Sequence, residues 1–252
     1  MRAFLALSFC TLACVSASGP ASAAYSKIKS PIVHQGEFEL ETYGYITDDG
    51  DDAKDGKNRF KSGVGYGFTD YWFMEVESEW GNNPGKRFGH RAIEIENRFQ
   101  FVPQGTYAID IGGYAAWESS TQTNSADEFK FGPIFQTQVS DFVFTLNPFI
   151  SAEIGKHSEK DPEFTYAIQA KYLAHPMFSP GVEIYGEPGQ IGNFDRLSSQ
   201  DHAIGPVITG VIMGAPFGLP GKLKYEAGVL FGLTSGTAAR IYKGGLEYEF
   251  TF

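Results

Sequence analysis

Residues 71–80 read YWFMEVESEW, Tyr71 to Trp80, and their alternation decides the fold. Trp72, Met74, Val76 and Trp80 share one parity, while Phe73, Glu75, Glu77 and Glu79 share the other. A period of two belongs to a β-strand, whose successive side chains point to opposite faces. One face here is apolar and aromatic; the other carries carboxylates. HQGEFELETYGYI (34–46) repeats the pattern, with Phe38, Leu40, Thr42 and Ile46 against Glu37, Glu39, Glu41, Tyr43 and Tyr45. AIEIENRFQF (92–101) sets Ile93, Ile95, Phe99 and Phe101 against Glu94, Glu96, Arg98 and Gln100. About twelve such segments follow one another, divided by turn signals such as Thr69-Asp70, Pro103-Gln104-Gly105, Ser140-Asp141 and Pro220-Gly221.

The apolar rows carry essentially no charge, with Arg91 and Arg240 at strand ends as exceptions. A water-soluble β-sandwich would turn its apolar rows inward and its charges outward. These apolar rows are too large and too aromatic for an inner core that leaves the charged rows outside. A closed barrel in lipid resolves this, because it pairs every backbone group and gives the charged row a wet interior. Lys or Arg on the lipid face costs roughly 2–4 kcal/mol at the midplane, which selects for clean rows. The pattern predicts an all-β fold: a single closed antiparallel transmembrane β-barrel of about twelve strands over residues 33–252. Short periplasmic turns and longer extracellular loops, such as TDDGDDAKDGKN, are expected. Trp72, Trp80, Trp117, Tyr107, Tyr225 and Tyr248 fall near strand ends, where aromatic girdles belong. A soluble secreted β-protein is the alternative.

The chain has 252 residues and a formal charge of −10, which disfavours nucleic acid as a partner. Arg2, the apolar stretch Ala3 to Val15 and Ala21-Ser22-Ala23 have the layout of a secretory signal peptide over residues 1–23. Residues 24–32 then read as a short periplasmic N-terminal segment. Both cysteines, Cys10 and Cys14, fall in the signal, so the exported chain would have no disulfide. Thr11-Leu12-Ala13 before Cys14 leaves a lipoprotein reading open. Beyond the signal no run of about 18 apolar residues predicts a spanning helix.

The last ten residues, KGGLEYEFTF (243–252), alternate in the same way. They resemble the carboxy-terminal assembly signal of Gram-negative outer-membrane proteins, with Lys243, Gly245, Tyr248 and Phe250 at matching positions and Phe252 as the terminal aromatic. The resemblance implies recognition by the barrel-assembly machinery, pairing of the last strand with the first, and contact with outer-membrane lipid and lipopolysaccharide.

Twelve strands about 4.8 Å apart and tilted near 40° give a backbone diameter of roughly 24 Å and a passage of at most about 10 Å. Glu37, Glu39, Glu41, Glu75, Glu77, Glu247 and Glu249 converge on the closing seam. Gly63, Gly65 and Gly67 beside them suggest that nothing large covers these acids, and Lys224 is the expected cationic partner. The expected function is a narrow channel for small solutes with an acidic lumen, favouring cations or neutral polar molecules. An interior ion-pair network is the bland alternative. KFGPIFQTQ (130–138), AIGPVITG (203–210) and GVLFGLTSGT (228–237) resemble parts of proteobacterial transporter-like barrels of the phenol-degradation (meta-pathway) type. That resemblance implies passage of small, aromatic compounds and transfers no site residue.

Two further classes stay open. An outer-membrane enzyme would place a site at the outer rim, where His90, His157 and His202 fall, with Asp201 and Ser198-Ser199 beside the last. No Gly-x-Ser-x-Gly or His-Glu-x-x-His motif accompanies them, and no catalytic residue is assigned. A structural, non-conducting barrel is the other. The loop DDGDDAKDG invites calcium but fails the EF-hand spacing at Ala53. No cofactor or metal is expected.

Overall fold

The computed structural model describes residues 25–158, 161–214 and 220–251. The proposed signal peptide, both cysteines and Phe252 lie outside the described residues.

Thirteen antiparallel strands account for most of the described chain: β1 Glu37–Asp48, β2 Asn58–Thr69, β3 Trp72–Asn82, β4 Gly89–Gln100, β5 Asp110–Ser120, β6 Asp127–Val139, β7 Phe142–Ile154, β8 Glu163–Tyr172, β9 Ser179–Gln190, β10 Asn193–Phe194, β11 Asp201–Met213, β12 Lys222–Gly232 and β13 Arg240–Thr251. The two-residue β10 pairs only with β9, outside the wall. The other twelve form one closed barrel. Each pairs with its neighbours in chain order, and β13 returns to β1 in continuous register from Glu37↔Thr251 to Asp48↔Arg240. Closure leaves no open edge in the twelve-stranded wall.

Burial follows the parity of the sequence. On β3 Glu75, Glu77 and Glu79 are each 1% exposed, whereas Val76 is 44% and Trp80 43% exposed. Glu39 and Glu41 of β1 are buried while Leu40 and Ile46 are exposed. The acids therefore face the interior and the apolar rows face outward around the barrel. An apolar belt of that extent suits hydrocarbon and not water. Aromatics mark its borders. Trp72 near the inner rim donates its indole N–H to Asn97 Oδ1 at 3.0 Å, and the Tyr225 hydroxyl donates to the Met177 carbonyl at 2.6 Å. Trp80 and Trp117 lie toward the opposite rim.

The links 70–71 and 140–141 on the inner rim are tight turns, while 101–109 and 214–221 on the same rim are longer. Gly221, with φ +112°, makes the last inner link possible, since a Cβ there would sit 2.2 Å from the Glu249 carbonyl oxygen.

Two Gly-Pro pairs interrupt the wall. The β6–β7 pairing skips from Phe131↔Ile150 to Phe135↔Leu146, with Pro133 and Pro148 in the gap. The β11–β12 pairing skips from Ile204↔Phe231 to Val207↔Gly228 around Pro206. Proline has no N–H to give the ladder, so the gap follows from its chemistry.

Replacing Val76 in the middle of β3 by lysine is expected to lower stability by roughly 2–4 kcal/mol, measured by urea titration of protein reconstituted in vesicles. Unchanged stability would mean that this row does not meet hydrocarbon.

Candidate functional site

The interior starts from an electrostatic problem. Strand register places Glu39 directly opposite Glu249 and Glu41 opposite Glu247. Further round the wall, Glu75 faces Glu96 and Glu77 faces Glu94. Like charges opposed across a ladder repel, and burial removes the water that would screen them. All of these carboxylates, with Glu37, are buried. The seven acids expected at the seam are thus on the interior face, joined by Glu94 and Glu96, which were not expected there. Their signal was the same alternation, continued into β4.

Cations answer the acids, and more of them than Lys224 alone. Lys224 Nζ lies 2.6 Å from Glu247 and 2.5 Å from Glu249, and Lys222 also pairs with Glu249. Arg98 donates to Glu39 at 3.1 Å, lies 3.5 Å from Glu96 and rests 4.0 Å over the Phe73 ring. Lys61 pairs with Glu94 and lies 3.3 Å from Glu77. Arg59 reaches Glu79 at 3.2 Å.

The remaining charge comes from a part of the chain expected elsewhere. Residues 25–33 do not lie beyond the inner rim as a periplasmic tail; they run through the barrel. Lys27 bridges Glu41 and Glu247, the latter at 2.5 Å, and Lys29 Nζ lies 2.6 Å from Glu96. Asn147 holds the Lys29 backbone on both sides, accepting its N–H at 2.7 Å and donating to its carbonyl at 3.0 Å. At one end the Tyr25 hydroxyl donates to Asp201 at 2.5 Å, beside the outer loop 191–200. At the other, the Val33 N–H donates to Gln100 Oε1 at 2.8 Å, and the chain leaves past Gly67. A Cβ at Gly67 would sit 2.0 Å from the His34 carbonyl oxygen, so glycine makes the exit possible.

The glycines of β2 do not leave the acids bare. Glu75 lies over Gly63 and the Phe73 ring over Gly65. Toward the outer mouth, Tyr25, Tyr45 and Tyr185 pack with Val207, Leu230 and Ile241 in an apolar cluster. Tyr114 of β5 stacks on Phe149 of β7 at 4.5 Å, over Gly132 of the strand between them. What remains is a cavity of about 460 Å³ beside the threaded segment, lined in part by Lys27, Glu41, Gln169, Lys171 and Glu226, and reaching the inner link at His175. That volume suits a small solute.

The described residues of the carboxy-terminal pattern have structural partners. Lys243 is buried between Glu183 and Glu226, each at 2.7 Å. Gly245 lets the Tyr43 side chain approach, with its Cβ 2.9 Å from where a Cβ on the glycine would lie. Phe250 meets Phe38 at 4.9 Å across the closing seam, and the Tyr248 hydroxyl donates to the Pro220 carbonyl.

At the outer rim, both ring nitrogens of His202 are engaged, by Tyr166 at 3.1 Å and by Gln200 at 2.6 Å. Asp201 is taken by Tyr25, so these residues do not form a serine–histidine–aspartate relay. The loop 49–57 spends its carboxylates on turns. Asp49 accepts the backbone N–H groups of Asp51 and Ala239, each at 2.7 Å, and these bonds hold its carboxyl below the usual carboxylate range.

No protein-family model and no curated protein matches the sequence. Solved structures do match in shape. An outer-membrane channel from Pseudomonas putida F1 superposes with a TM-score of 0.60 at 11% identity, over 92% of this chain and 99% of that one. The NanC porin gives 0.54 at 11% identity over 83% and 98%, and the KdgM porin, in complex with disordered oligogalacturonate, 0.52 at 12% over 85% and 99%.

Replacing Lys27 and Lys29 together by glutamine is expected to release the threaded segment. A cysteine at Ser26 should then react with a membrane-impermeant maleimide at least about tenfold faster than in the parent, a shift of about 1.4 kcal/mol in the opening equilibrium. Equal rates would mean that the lysines do not hold the segment.

At identities this low the likeness is one of fold: the chain has the architecture of outer-membrane porins and channels.

Proposed function

We propose that the protein is an exported outer-membrane channel for small cationic or neutral polar solutes, narrowed by its own residues 25–33. The observation that carries this reading is the threaded segment itself. A barrel with a charged interior has the wall of a conduit, and a segment held there by two lysines, a few polar side chains and the packing of Tyr25 and Ile28, without a β-ladder, is a removable filling. The charge balance supports the solute class. With Lys27 and Lys29 withdrawn, Glu41, Glu96, Glu75 and Glu77 lose their nearest cations from the segment, and the wall they line favours positive charge. The similarity in fold to porins and channels supports a transport role.

The signal-peptide layout supports export. The carboxy-terminal pattern supports insertion by the barrel-assembly machinery, after which the outer belt meets lipid and, on the outer leaflet, lipopolysaccharide. The segments that resemble phenol-degradation transporter-like barrels include the two Gly-Pro sites where the wall is interrupted. On that resemblance small aromatic compounds are a further solute class.

Planar-bilayer recording tests the reading. The intact protein should conduct weakly, and deletion of residues 25–33 should raise conductance several-fold and shift selectivity toward cations. No conductance from either form, or anion preference in the deleted form, would overturn it.

A further inference from the structure

Among the acids of the seam, one trio contains Glu75, a carboxylate with no hydrogen-bond donor among the described residues. Glu39, Glu41 and Glu75 are all buried, and an oxygen from each lies within 4.8 Å of the others. Glu39 Oε2 accepts from Arg98, and Glu41 Oε2 is taken by Lys27. Among the described residues Glu41 Oε1 has no hydrogen-bond donor, and neither oxygen of Glu75 has one, although Glu75 is only 1% exposed. The cation nearest to Glu75 in the network, Lys29, stands 3.9 Å from its Oε2, beyond hydrogen-bond reach. A fully buried carboxylate without a donor is costly and calls for a positive partner.

We infer that Glu39, Glu41 and Glu75 form an interior divalent-cation site, with Ca²⁺ as the ion that fits. Hard carboxylate oxygens are calcium and magnesium ligands. Calcium accepts irregular oxygen shells at 2.3–2.6 Å, so two ligand oxygens bound to it can stand up to about 4.8 Å apart. Magnesium demands a tight octahedron and keeps much of its water, which a crowded trio does not accommodate as well. Lys27 and Arg98 each occupy only one oxygen of their carboxylate, so the trio keeps free lone pairs for an ion. The ion has a route, because the cavity of about 460 Å³ that reaches the inner link is lined by Glu41. Lys27 shares Glu41 with the ion, so the threaded segment and the cation compete in part for one carboxylate.

Calorimetric titration tests the site directly. The full exported chain, refolded in detergent and stripped with a chelator, is titrated with calcium chloride in monovalent salt near neutral pH. The wild type should take up one Ca²⁺ per chain, with magnesium chloride giving weaker uptake. Glu75→Gln should weaken binding at least about tenfold through loss of a charged ligand. Lys27→Gln should tighten it, since a competitor for Glu41 is gone. Glu41→Gln, expected to weaken binding likewise, serves if Glu75→Gln does not refold. Absence of saturable uptake by the wild type at millimolar Ca²⁺ would overturn the site. So would uptake unchanged by the glutamate substitutions, which would point to the aspartates of the outer loop 49–57. The readout needs no ion flow, so a non-conducting protein would leave the site standing.

Discussion

Carboxylates face one another across neighbouring strands inside this barrel, and the interior is arranged around their neutralisation. Glu39 with Glu249, Glu41 with Glu247, Glu75 with Glu96 and Glu77 with Glu94 are buried register neighbours. The outside fixes this arrangement. An apolar row must meet hydrocarbon, the pleat sends the alternate row inward, and a closed ladder permits no slip of one residue without exchanging the two rows. The acids are therefore confined to the lumen, and cations must come to them.

Some cations come from the wall, as with Arg98, Lys61 and Lys224. Those on the threaded segment differ in kind, because the segment is tied to the wall by side chains and not by a β-ladder. Lys27 and Lys29 are two residues apart and extended, and each reaches acids on strands that the other does not contact directly, Glu41 and Glu247 for one, Glu96 for the other. A segment that supplies counter-charge and fills the passage links electrostatics to permeability: whatever draws off its lysines also opens space. Breaking such pairs one-sidedly leaves buried charge uncompensated, so departure of the segment requires water or a solute cation to take its place.

The wall was legible in the sequence, and its contents were less so. YWFMEVESEW and its repeats gave strand positions, the inward and outward faces and closure, because a period of two bounded by turn residues maps directly onto a pleated sheet. The seam residues Glu37 to Glu41 and Glu247 to Glu249 followed from the pairing of first strand with last. Residues 25–33 gave no comparable signal. Their sequence, YSKIKSPIV, has the Lys27 and Lys29 spacing of one strand face, but no β-partner: its bonds run to the side chains of Asn147 and Gln100, and side-chain partners leave no periodicity to read. For the same reason the covering of Gly63 and Gly65 by Glu75 and Phe73 was missed, since it depends on which rotamers fill the lumen.

Neutralisation and filling of the lumen both require that segment to lie inside the folded barrel, and amide hydrogen exchange in lipid nanodiscs measures whether it does. The Lys29 and Val33 amides, bonded to Asn147 and Gln100 and screened from bulk water, should exchange orders of magnitude more slowly than in an unstructured peptide, approaching the strand amides of β1. Exchange at unstructured-peptide rates, with the strand amides still protected, would place residues 25–33 outside the lumen and contradict the account.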